Sequence, residues 1–239
     1  MYKLICLFLA LLLSPTALHA EKIQIVTEEA YPMNYTANGE IVGYATDYLQ
    51  TVLADSGFQY DIKLVPWNRA YKMALEDKNT LIYSIARTPD REDKFHWLLR
   101  IKTVQYYLYG LTTKAQEFKS LDACTESKIA IVSGDVTHDY LSSLGCGELV
   151  LTQDYQQLNS LLTRGRVDFI ASSALGIKYF TERYDHNADS FYQFKTLKGL
   201  ATALYYAINI DTDSKVVDNL RAHFNKHRDH PSFYALQAM

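Results

Sequence analysis

The chain has 239 residues, 24 Lys and Arg against 27 Asp and Glu, a formal net charge of −3, and 48% hydrophobic residues. This is enough chain for one large domain or two ordinary lobes, and the mild acidity excludes a general nucleic-acid binder. None of the three cysteines forms a C-x-x-C pair, which excludes a zinc ribbon or dithiol redox motif.

Residues 1–20 read as a cleaved secretory signal peptide: Lys3, the apolar run Leu4 to Leu13, a break at Ser14-Pro15, and a small residue, Ala20, at the cut. The apolar run is shorter than a bilayer span. Cys6 lies inside it rather than after it, so no lipoprotein box is formed. The expected product is a soluble, monomeric, periplasmic protein. Two cysteines survive cleavage, Cys124 and Cys146. An even count in an exported chain points to a disulfide, with two buried thiols as the alternative.

Lys22 to Val26 alternates as a strand. A polar, turn-rich stretch follows, with Tyr31 and Tyr35. Ala45 to Ala54 has helical spacing and stops at Ser56-Gly57. Tyr60 to Val65 is a strand closed by Pro66, and Trp67 to Leu75 is a helix with Ala70, Met73 and Ala74 on its apolar face. Thr80 to Ala86 is a buried strand that passes Ser84 and delivers Arg87 and Arg91. This β-α-β-α-β order predicts a parallel sheet covered on both faces. Right-handed crossovers then bring Tyr31, Tyr35, Trp67, Arg69, Arg87 and Arg91 to one rim.

Trp97 to Thr113 is long and β-rich, carries Tyr109, and leads through a charged stretch into a second series. Strands are expected at Lys128 to Val132, Glu148 to Thr152 and Val167 to Ala171. The first is followed by Ser133-Gly134-Asp135 and a helix from Thr137, the second by a helix capped at Asp154, the third by Ser172-Ser173 and a further helix. Ala203 to Ile210 is a last strand. Asp211 or Asp213 caps a last helix over Val216, Val217, Leu220 and Phe224. The expected fold class is α/β: two Rossmann-like lobes, each with its own sheet, joined by a hinge. Residues 21–111 with 201–239 form one lobe and 112–200 the other.

Several strings carry a family resemblance. Tyr31-Pro32-Met33-Asn34-Tyr35, Asn38-Gly39-Glu40, Gly43-Tyr44 with Asp47, Thr88-Pro89-Asp90-Arg91 and Gly165-Arg166-Val167-Asp168 resemble, in order, the motifs of the bacterial extracellular solute-binding proteins, family 3. The resemblance implies a type II periplasmic binding protein of Venus-flytrap form and no enzyme activity or cofactor. It implies a small carboxylate-bearing ligand, amino-acid-like or another organic acid, and an ABC importer permease or a membrane sensor as partner. In that family the arginine of T-x-E-R holds the ligand carboxylate, and Arg91 takes its place. A planar fork of donors suits that task better than a lysine point charge.

Two positions depart from the pattern. Asp135 stands where the family commonly has Thr after its loop glycine. Ser173, preceded by Ser172, stands where it has the Asp that binds the α-amino group. Ser84, Tyr109, Ser133, Gly134 and Trp67 complete the candidate ligand set. Arg87 and Arg69 are open between cleft lining and solvated or paired surface roles. His223, His227 and His230 read as an exposed helix end and not as a metal site. A sensory protein, or a dehydratase-like enzyme on the same fold, is the alternative function.

Overall fold

The computed structural model describes residues 22–118, 122–184 and 186–238, so the predicted signal peptide lies outside the described residues. The first lobe opens on β1 (Lys22–Thr27), whose Ile23, Ile25 and Val26 are buried. A short hairpin of β2 (Tyr35–Ala37) and β3 (Glu40–Val42) occupies the turn-rich stretch. Then come α1 (Tyr44–Leu53), β4 (Gln59–Leu64), α2 (Trp67–Glu76) and β5 (Thr80–Ala86). Strands β4, β1 and β5 pair in parallel, as the alternation of strands and helices predicts. Gly43 is required at the entry to α1: its φ is 122°, and a Cβ there would lie 2.5 Å from the Met33 carbonyl oxygen.

Strand β6 (Phe95–Leu111) leaves the first lobe and enters the second. There α3 (Ala123–Glu126), β7 (Lys128–Val132), α4 (Val136–Ser143), β8 (Glu148–Thr152), α5 (Tyr155–Thr163), β9 (Phe169–Ser173) and α6 (Ala174–Arg183) repeat the parallel arrangement, with β9, β7 and β8 side by side. Strand β10 (Phe191–Asn209) returns to the first lobe, which ends with α7 (Ser214–Lys226) and α8 (Pro231–Ala238). Of the two candidate caps, Asp213 is the one that caps α7, accepting from Lys215 N.

The expectation of two separate sheets is corrected. One eight-stranded sheet runs β4-β1-β5-β10-β6-β9-β7-β8. Strands β6 and β10 are long enough to pair antiparallel with each other through both lobes, and each lobe's parallel strands add to their two ends. The last strand therefore starts at Phe191, well before Ala203. The pairing shifts register at four places, and the longest interruption lies between the lobes. Thr196 faces Tyr107 and Ala201 faces Gln105, so Leu197–Leu200 bulge out. Gln105 Nε2 holds that bulge by donating to Leu197 O at 2.9 Å. Tyr106–Tyr109 already pair with β9 of the second lobe.

Cys124 and Cys146 are disulfide-bonded, with Cα atoms 4.4 Å apart. The bridge ties α3 to the segment before β8. The apolar run Lys128 to Val132 thus begins and its neighbour β8 begins beside the same covalent link.

Candidate ligand-binding cleft

The cleft is built where the carboxyl ends of β1, β4 and β5 meet the heads of α4, α5 and α6. Right-handed crossovers in both lobes leave these ends facing one another. One chamber, roughly 600 Å³ with its mouth, is lined by Glu28, Tyr31, Ser84, Tyr106, Tyr155, Ser173 and Tyr179 among others. A smaller chamber is walled by Glu28, Trp67, Ser84, Arg91, Tyr106, Asp135 and Tyr155.

Arg91 sits on a single 3-10 turn, Pro89–Arg91, directly after β5. It is only 4% exposed. Its Nη1 donates to Ala86 O at 3.4 Å and its Nη2 to Gly134 O at 3.3 Å, across the cleft. The guanidinium carbon lies 5.2 Å from the centre of the Trp67 ring and 5.0 Å from that of Tyr71, so two aromatic faces orient the fork. Among the described residues the one acid in ion-pair range, Asp139, is 3.9 Å away with its side chain 63% exposed, which gives a weak pair.

Trp67, which the sequence left open between ligand stacking and core packing, is buried and donates its Nε1 to Gly134 O at 2.8 Å. Gly134 thus meets two donors from the first lobe. Its φ is 73°, and a Cβ would lie 2.5 Å from Asn68 Oδ1, so glycine permits both the turn and the approach. On the other side of the cleft mouth, the rings of Tyr31 and Tyr179 stack at 5.2 Å, with Tyr35 edge-on to Tyr31. Tyr179 OH donates to Glu29 Oε1 at 3.2 Å. The lobes therefore touch at both edges of the cleft.

Ser84 reaches the cleft through a bulge in β5. Tyr83 pairs with Tyr206 and Ile85 with Tyr205, so Ser84 has no partner across the ladder. Its φ is 60°, a left-handed conformation unusual for a non-glycine residue. Ser84 Oγ donates to Asn34 Oδ1 at 2.5 Å. Fully buried Asn34 donates in turn to Thr27 Oγ1 and to Glu28 O, at 2.9 and 2.6 Å. One amide side chain thus ties the end of β1 to the bulge of β5, and bulges of this kind re-aim side chains at sites.

Asp135 is the N-cap of α4. Its Oδ1 accepts from Thr137 N, Thr137 Oγ1 and His138 N. Burial pushes its carboxyl up to about 6 against the pull of those hydrogen bonds and of Arg91. Ser173, at the position of the family's ammonium-binding acid, caps α6 by accepting from Gly176 N at 3.1 Å. It still lines the larger of these two chambers.

Five candidates lie elsewhere. Arg87, half-buried, donates its Nε to Glu92 Oε2 at 2.7 Å and stands between the rings of Trp97 and Tyr205, 5.3 and 5.2 Å away. Arg87 lines neither chamber. Arg69 is on the solvent side of α2, because the helix turns its Trp67 and Ala70 face inward. Tyr109 is buried in the second lobe against Tyr107 and lines neither chamber. Ser172 is buried with its hydroxyl turned to Ser173 O. Ser133 joins the second lobe's ladder through its backbone, donating to Thr152 O. Among the described residues no group of His, Cys, Asp and Glu is arranged to hold a metal. His227 instead meets Asp55 at 3.1 Å.

Sequence reading missed the cleft's central acid. Glu28 lines both chambers and an adjoining one. Burial, reinforced by Asp135, pushes its carboxyl up to about 8, with Arg91 pulling the other way. Its place directly after the first strand was the available signal. Tyr106, Tyr155 and Tyr179, also missed, form the aromatic walls.

A two-lobed α/β chain with a ligand-sized cleft between lobes joined by two antiparallel crossing strands has the fold of the type II periplasmic binding proteins. Solved structures with this fold cover nearly the whole chain. A histidine kinase sensor domain with similarity to periplasmic binding proteins matches with a TM-score of 0.77 at 16% identity, over 92% of this chain and 95% of that one. An amino acid ABC transporter substrate-binding protein from Streptococcus pneumoniae, bound to L-arginine, matches with a TM-score of 0.75 at 15% identity, over 91% and 92%. The arginine-, lysine-, histidine-binding protein ArtJ from Geobacillus stearothermophilus gives 0.75 at 14% identity, over 90% and 93%. The sequence model of the bacterial extracellular solute-binding proteins, family 3, matches residues 23–110, the stretch that holds every motif of the resemblance except Gly165-Arg166-Val167-Asp168. No curated protein matches the chain. No helix among the described residues is long and apolar enough to cross a membrane.

Proposed function

We propose that this is an exported solute-binding protein that captures a small carboxylate-bearing ligand between its lobes and presents it to an ABC-type importer. The observation that carries this reading is Arg91: a buried, aromatic-stacked guanidinium at the cleft whose donors rest on long bonds to two backbone carbonyls. A carboxylate can replace those carbonyls with shorter, bidentate bonds. Residues 21–111 with 201–239 and residues 112–200 act as the two moving bodies, and the irregular Leu197–Leu200 bulge between them is where bending concentrates. Closure around a ligand follows only from the ligand's preference for the closed form.

The test is a thermal-shift screen against amino acids, peptides and organic acids, since a ligand of the native state raises its stability by mass action. A stabilising acid whose effect survives Arg91→Ala overturns the anchor. A second reading, ligand sensing without transport, is favoured by the sensor-kinase domain that shares the fold over nearly the whole chain. Copurification of the ligand-loaded protein with a kinase and not with a permease would select it.

A further inference from the structure

A cavity of roughly 950 Å³ with its mouth lies in the second lobe and shares no lining residue with the cleft. Its size is that of a small-molecule site, roughly 300–1,000 Å³. The floor is apolar: Leu108 of β6, Ile129 of β7, Leu141 of α4 and the Cys124–Cys146 bridge. Strand β10 forms one wall, and its irregularities account for the shape. In a regular strand successive side chains point to opposite faces, yet all of residues 194–198 border the cavity. Gln193 faces Tyr109 and Lys195 faces Leu108, so Phe194 is bulged, and the Leu197–Leu200 bulge follows directly. Bulges re-aim side chains, and these two bring exposed Lys195 and Lys198 to the same opening as the apolar floor. Among the described residues neither lysine makes an ion pair, and no Asp or Glu borders the cavity.

An apolar floor under two uncompensated cations complements an alkyl chain that ends in an anion. The chain gains by leaving water, and the head group meets the ammonium groups at the rim without desolvating them. We propose that this cavity is a second ligand site, for a single-chain amphiphilic anion of the fatty-acid kind taken from solution. Its position ties it to the hinge. Tyr140 OH donates to Lys198 O, so the last turn of α4 is fastened to the interlobe bulge at the edge of the cavity. The head of the same helix follows the Gly134 loop of the cleft. A chain packed between Leu141 and Leu197 holds helix and bulge together and opposes bending there.

The experiment is hydrogen exchange read by mass spectrometry, on the wild type and on Arg91→Ala, whose cleft lacks the arginine that could take a carboxylate. The probes are decanoate below its micelle concentration, butyrate, decanol and decyltrimethylammonium. Expected with decanoate, in both proteins, is slower exchange in peptides covering residues 140–146 and 194–200. Butyrate and the cation should give none, and decanol clearly less than decanoate. Calorimetry should find decanoate bound about three- to tenfold more weakly by the double variant Lys195→Gln, Lys198→Gln, whose two changes are at exposed positions. No protection of these peptides, protection lost in Arg91→Ala, equal protection by butyrate, decanol or the cation, or unchanged affinity in the double variant overturns the site. Flotation of the protein with phosphatidylglycerol vesicles, lost in the double variant, would make the patch a membrane contact and overturns the free ligand.

Discussion

Replacing Glu28 by Gln removes one titrating group and keeps its volume, so it isolates the linkage between the cleft and folding. The carboxyl rises from 4.5 to about 8 in the folded chain, by burial first and Asp135 second. Between those values the native state holds a proton that the unfolded chain has released. Stability from this group is therefore fully present at low pH and is lost as pH climbs through the window. A complete difference in protonation is worth about 1.4 kcal/mol per pH unit. Water entering through the cleft mouth screens the group, and we expect a total of roughly 2–3 kcal/mol. Urea unfolding of wild type and Glu28→Gln from pH 5 to pH 8.5 reads this directly. The variant should gain on the wild type steadily as pH rises, while Asp135 titrates in both chains and cancels. Parallel stability curves would refute the argument, because they would mean that Glu28 titrates alike in the folded and unfolded chains.

Other perturbations test separate parts of the structure. Trp67→Phe keeps a ring beside Arg91 and removes the bond to Gly134 O; one net hydrogen bond of about 1 kcal/mol lowers the ratio of closed to open lobes about five-fold. Small-angle scattering or an interlobe fluorescence pair should see the apo protein expand, with little change in urea midpoint. Loss of the Cys124–Cys146 bridge, which spans 22 residues, should destabilise the second lobe by about 3 kcal/mol. Double Cys→Ser substitution with and without reductant checks it: a reductant-sensitive wild type and an insensitive variant are expected. Asp213→Ala strips the cap from α7 and should lower global stability by about 1 kcal/mol, read as a drop in Tm.

The order of strands and helices was legible because period-2 and helical patterns are local. The parallel β4, β1, β5 set follows from alternation alone. Arg91 was legible through its short motif, and the second-lobe loop through Gly134. What tertiary pairing decides was hidden. The continuous sheet depends on β6 and β10 finding each other over some 90 residues of chain. Ser84 enters the cleft through a bulge that only the register with Tyr205 and Tyr206 reveals. Arg87 and Arg91 share one short stretch, yet the first turns out to Glu92 and the second turns in. Glu28 follows β1 directly, but nothing in that polar run set it apart from Glu29. Helix α8 was missed because it buries only Leu236 and shows no apolar stripe. Arg69 was a fair candidate by position after β4, but the inward face of α2 belongs to its neighbours.

The carbonyl of Gly134 has a consequence for selectivity. With the lobes together it is gripped by both Trp67 and Arg91, so if Arg91 is the acid anchor proposed above, the chain supplies its own occupant for that seat. An arriving solute competes with an oxygen tethered at high effective concentration. Weak acceptors such as esters, amides or alcohols offer no better bond than the tethered carbonyl and are turned away. A full negative charge gains enough to displace it. The glycine loop thus sets an entry threshold for the cleft.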